Sequence, residues 1–180
     1  MATNTFIDSA KVMSKGQITI PKDIREILGV SNGDRVTFVV ENGNVRLINS
    51  AVYAMQMLQA QMTGEAAKAE LTSEDAVMDL VKEVRAESDT NILISAALNH
   101  RGTPYQAFIK AVSYPNHGLV CEQTIDEMRR IFYRKFPEKI SALDAFLSLA
   151  SSTLEIIPIP IIPYPLEEKI RDVNDRPILR

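Results

Sequence analysis

The side chains of this sequence that could do chemistry are mostly charged, and they are unevenly placed. Residues 1–50 carry six basic and five acidic groups, residues 51–88 three and seven, and residues 89–180 eleven of each. A nearly neutral opening, a compact acidic stretch and a balanced remainder read as three pieces with different jobs. Lysine and arginine neutralise phosphates, so the opening piece could meet nucleic acid. Nucleophile and imidazole chemistry is scarce. Cys121 is the single cysteine and forms no internal disulfide. His100 and His117 fall in expected loops, without metal-ligand spacing. A hydrophobic content of 46% excludes a disordered chain. No apolar run is long enough for a bilayer span, which argues against a membrane partner. The opening also lacks the basic-then-apolar layout of a secretory signal. The expectation is a reducing, cytoplasmic setting.

The elements that would position these groups follow from local pattern. KVMSKGQITI (11–20) and RVTFVVENGNVRLI (35–48) alternate with β-branched residues and read as strands. Asn42-Gly43 predicts a type I′ hairpin turn, and Ser14-Lys15-Gly16 a turn in an earlier hairpin. Pro21 opens a short helix, KDIREILG, with Gly29 just past its end. Asn32-Gly33-Asp34 then turns the chain into the next strand. The order is strand, strand, short helix, strand, strand. About forty residues of this kind make a small core, and a dimer sharing strands would enlarge it.

These residues are recognisable. The run Ser14-Lys15-Gly16-Gln17-Ile18-Thr19-Ile20-Pro21-Lys22-Asp23-Ile24-Arg25, followed by Leu28-Gly29 and Gly33-Asp34, resembles the SpoVT/AbrB family of bacterial regulators and antitoxins. The resemblance implies an intertwined homodimer with a swapped-hairpin β-barrel, an α+β domain that binds operator DNA. Carried over, the DNA-binding candidates are Lys11, Lys15, Gln17, Lys22 and Arg25. Gln17 suits a base edge and the others phosphates. Ordinary solvated charge is the rival reading, strongest for Lys11 and Lys22. Asp23 and Glu26 dilute the positive face, so modest and salt-sensitive affinity is expected.

Residues 51–88 are helical in composition, with Tyr53, Met57 and Ala60-Gln61 at one spacing and Val77, Leu80-Val81 and Val84 at another. Thr72-Ser73-Glu74-Asp75 reads as a cap opening a second helix from Glu74 to Arg85. In antitoxins of the resembled family such a tail wraps a toxin. A spacer packing on its own dimer mate is the other reading.

From residue 89 a new pattern begins. Helices are expected over 104–112, 124–136 and 143–150, and strands at 118–121 and 153–162, the latter studded with Pro158 and Pro160 as an edge strand would be. Alternation of this kind indicates a parallel α/β sheet. DTNILISA, TIDEMRRIFYRKF and IRDVNDRPIL resemble the PIN-domain family of metal-dependent nuclease toxins. The resemblance implies Mg²⁺ or Mn²⁺ held by Asp89, Glu127 and Asp175, with Asp172 competing for the third place, and a metal-held water cutting RNA. Asp89, Glu127 and Asp175 are then the catalytic candidates, with Thr90 and Asn91 orienting them. Taken singly, Asp89 also reads as the cap of a helix over 91–98, Glu127 as one charge on a polar helix face, and Asp175 as a cap of the last helical turn.

The sequence departs from that family twice. Val84 to Ser88 stand where that family has several apolar residues, so the expected first strand is weakened or shared with the end of the preceding helix, and the family's last acidic strand has no counterpart before Arg180. The expected sheet is therefore C-terminally truncated, with an incomplete carboxylate cluster. The organisation read from sequence is a SpoVT/AbrB-type domain (1–50), an acidic helical connector (51–88) and a partial PIN-like domain (89–180). The functional expectation is a DNA-binding, autoregulating antitoxin fused to an incomplete toxin, with a partner toxin or antitoxin chain. The alternative is an endoribonuclease completed by another chain.

Overall fold

A computed structural model describes residues 6–68 and 91–159. Within them the chain has a mixed α/β fold, with an N-terminal β-hairpin and a C-terminal helical and β region. Helix α1 spans Lys22–Leu28, strands β1 and β2 span Val36–Glu41 and Asn44–Asn49, α2 spans Ser50–Met62, and α3 spans Glu65–Lys68. Then come α4 (Asn91–Leu98), α5 (Thr103–Ala111), β3 (Leu119–Cys121), α6 (Glu122–Lys135), α7 (Ile140–Ala150) and β4 (Glu155–Ile157).

Local chemistry explains the boundaries of the N-terminal elements. Pro21 precedes α1, where a missing N–H costs nothing, and Gly29 ends it at φ 64°, returning its N–H to Arg25 and Glu26 carbonyls. Asn42 and Gly43 take φ of 50° and 76°, as a type I′ turn demands, and set the register Val40↔Val45 and Phe38↔Leu47. The Ser14–Gly16 turn is present as a single 3₁₀ turn, with Lys15 at φ 65°. Its flanks, however, are not strands. Within one chain, residues 6–20 have no strand partner, and β1–β2 is an open two-stranded sheet rather than part of a barrel.

The core lies in the C-terminal region and takes in α2. Asn49 caps α2 by accepting the Ala51 N–H at 3.0 Å. Ala51, Ala54, Met55, Leu58 and Met62 form its buried face, against α4 and α7. The expected face through Tyr53 and Met57 is corrected by this: Met57 is exposed, and Met55 and Leu58 are the side chains that α4 and α7 cover. Leu58 is 1% exposed, and burial of such a side chain stabilises by about 1.5–3 kcal/mol. Phe108 of α5 meets Phe146 of α7 at 6.3 Å between ring centroids, and Phe132 meets Phe136 edge-on at 5.5 Å.

β3 and β4 pair in parallel, Leu119↔Glu155 through Cys121↔Ile157, joined by the α6–α7 crossover. The parallel pairing fits the α/β expectation. Of the strand expected over 153–162, β4 covers Glu155–Ile157 and stops before Pro158, which has no N–H to offer the ladder; residues 160–162 lie outside the described residues. No further strand joins this pair among the described residues. No helix among them is long and apolar enough to cross a membrane.

Candidate nucleic-acid interface

The five positions carried over as DNA contacts fall on two elements. Lys11, Lys15 and Gln17 lie on the N-terminal arm and are exposed. The Met13 N–H donates to the Gln17 carbonyl at 2.7 Å, and the Gly16 N–H to the Met13 carbonyl at 3.2 Å. That closed turn holds Lys15 within it and Gln17 at its base.

Lys22 and Arg25 stand three residues apart on α1, a spacing that puts them on neighbouring positions of one helix face. Their environments differ. The Lys22 side chain is 78% exposed and pairs with Glu26 at 3.6 Å, so part of its charge is already answered within the helix. Arg25 is half-buried, and its Nε is a buried donor with no hydrogen-bond partner. A donor so placed costs free energy until something accepts from it. Arg25 is thus the member of the set whose side chain is partly enclosed by the fold, with its Nε unmet there.

The hairpin beside these residues shows one face of apolar side chains to solvent. Phe38, Val40 and Val45 are 56%, 69% and 59% exposed, and the register sets Val40 opposite Val45. Phe6, Ile7, Val12, Met13 and Ile18 of the arm are exposed as well. Contiguous exposed apolar surface of this kind is more than scattered single side chains.

Of the acidic set, Glu127 lies within the described residues, whereas Asp89, Asp172 and Asp175 lie outside them. Glu127 is 7% exposed on the inner face of α6, and its Oε1 accepts from Gln123 Nε2 at 3.2 Å. It is therefore not one of the solvated charges of a polar helix face. Among the described residues no three His, Cys, Asp or Glu side chains gather into a metal site. Of the carboxylates that the PIN resemblance would gather around a metal, the described residues hold Glu127 alone. His100 and His117 do sit in loops, and His117 Nε2 stands 3.6 Å from Glu155 Oε2.

Two features had no sequence forecast. Glu65 of α3 pairs with Lys68 at 2.9 Å and with Lys139 at 3.7 Å, tying α3 to the turn before α7. The Lys68 hydrogen bond, helped by both lysines' charge, holds the Glu65 carboxyl below its usual range, and the same bond raises Lys68. The other is Asn49, buried where three segments meet. Its place before α2 was a readable cap signal, but its two longer-range bonds had none.

Residues 10–51 match the family model described as antidote-toxin recognition MazE, bacterial antitoxin. The chain thus carries a MazE/AbrB-like antitoxin domain over those residues. No curated protein and no solved structure matches the chain. The match ends at residue 51 and lends no support to a PIN toxin in residues 89–180.

Proposed function

We propose that this protein is a homodimeric antitoxin-type regulator that binds operator DNA and controls transcription of its own toxin–antitoxin operon. The observation that carries the reading is the antitoxin-family match over residues 10–51, whose basic positions Lys11 and Lys15 are exposed. The exposed apolar face of the hairpin supports a second copy of this chain as the first partner. Two copies would double a modest basic surface into one long enough to follow a duplex. In this reading Lys11, Lys15, Lys22 and Arg25 hold phosphates, and Gln17 meets a base edge. A toxin chain is the second partner, and the cytoplasm the compartment.

The test is binding of the full chain to the DNA upstream of its own coding region, over a range of salt. Wild-type affinity should fall steeply as salt rises. Arg25→Ala should weaken it by about tenfold or more and lower the salt slope by about one unit. Equal binding to every duplex, unchanged by Arg25→Ala, would refute sequence-specific DNA binding through α1.

One observation favours a second reading, in which residues 89–180 descend from a PIN-type endoribonuclease. The parallel β3–α6–α7–β4 unit buries Glu127 one turn into the helix that follows β3. Asp89, Asp172 and Asp175 would have to join it, with Mg²⁺ or Mn²⁺ supplying an activated water. Cleavage of an RNA pool that needs the metal and disappears in Asp89→Asn would support an enzyme completed by assembly. Absence of cutting with the assembled dimer would count against it.

A further inference from the structure

Helix α1 contributes no buried side chain of its own. Its placement therefore depends on how its ends are held. At its C-terminal end, the Gly29 carbonyl accepts two hydrogen bonds, from the Tyr114 N–H at 3.0 Å and from Asn49 Nδ2 at 3.4 Å. Asn49 Nδ2 also donates to the Val112 carbonyl at 3.0 Å, while its Oδ1 caps α2. Its carboxamide thus joins three segments: the end of α1, the start of α2 and the end of α5. Gly29 stands so close to the residue after Val112 that a Cβ on it would lie 2.9 Å from Ser113 Cβ and Oγ.

We infer that Asn49 is a positioning residue for α1, fastening the helix that carries Lys22 and Arg25 to the Val112–Tyr114 segment of the C-terminal region. The inference rests on the DNA-binding reading for its functional consequence. Asn49 is 2% exposed and cannot itself touch a duplex. Its effect on DNA is exerted through α1. A helix already held at its C-terminus pays less ordering cost when it meets DNA. The antitoxin-type domain of this chain therefore reads DNA as one body with the helices that follow it, rather than as a module on a free tether.

Serine separates this role from simple capping. It caps a helix about as well as asparagine but is too short to reach the Val112 carbonyl. The experiment compares full-length wild type, Asn49→Ser and Ser113→Val, which keeps the cap and crowds Gly29. Amide hydrogen exchange of Arg25 to Val30 is read beside that of α7, together with affinity for the upstream DNA duplex. In both variants α1 exchange should rise about fivefold or more with α7 unchanged. Affinity should fall roughly five- to tenfold with the salt slope retained, since the same phosphates are met. If Asn49→Ser fails to fold, Ser113→Val gives the same readout with the cap intact. Unchanged α1 exchange in the folded variants would overturn the inference. Should wild type bind no DNA, the DNA reading is what fails, and exchange alone decides whether Asn49 positions α1.

Discussion

Charge alone does not rank the residues of this chain; their surroundings do. Lys22 and Arg25 look equivalent as letters, yet Lys22 is paired with Glu26 while Arg25 keeps a buried Nε without an acceptor. Glu127 reads as one of several charges on a helix and proves to be buried against Gln123. Glu65 gathers Lys68 and Lys139 across a gap in sequence that no periodicity marks. That cluster has a pH dependence with a definite sign. Glu65 has a lowered pKa, so its contribution to stability is present above the ordinary carboxylate range and is lost as pH falls through the lowered value. Lys68 has a raised pKa, so its contribution holds below the ordinary lysine range and is lost only as pH rises through the raised one. Thermal melts should show Glu65→Gln less stable than wild type at neutral pH, by a small margin since Lys68 is well exposed. The gap should close on acidification below the ordinary glutamate range. A gap that persists in strong acid would mean that the cluster contributes through packing instead.

At the scale of elements, legibility followed the range of the forces involved. The Asn42-Gly43 turn, the Pro21 and Gly29 limits of α1 and the inner face of α6 through Ile125, Met128, Ile131 and Phe132 were readable, because each is set within a few residues. The buried face of α2 was not. Apolar residues surround that helix, and the packing of α4 and α7 selects Met55 and Leu58 over Tyr53 and Met57. Within the described residues β4 stops after Ile157 for a different reason: Pro158 withholds the donor that the ladder needs. The first hairpin has strand composition without a strand partner among the described residues, so local pattern alone did not decide it.

For the whole molecule, the exposed apolar face of β1–β2 and the arm before it bear on assembly. A homodimer that covers Phe38, Val40 and Val45 makes stability depend on concentration, since mass action favours the folded dimer. Sedimentation should give twice the 20.1 kDa of the chain, and the melting midpoint should rise with protein concentration. Phe38→Asp should shift the sedimenting species to a single chain. A monomer with a concentration-independent midpoint would rule out the shared-hairpin assembly. The sequence by itself determined the antitoxin-type character of residues 10–51, the Asn42-Gly43 turn and the limits of α1, and the alternation of helices with a parallel strand pair that follows. All of these are encoded in residue types a few positions apart. Tertiary structure alone decided that α2 belongs to the same core as α4 and α7, that Glu127 is buried, and that Asn49 binds α1 to the end of α5. Those outcomes depend on segments tens of residues apart meeting in space, where a buried carbonyl must find a donor and an apolar face must find a surface.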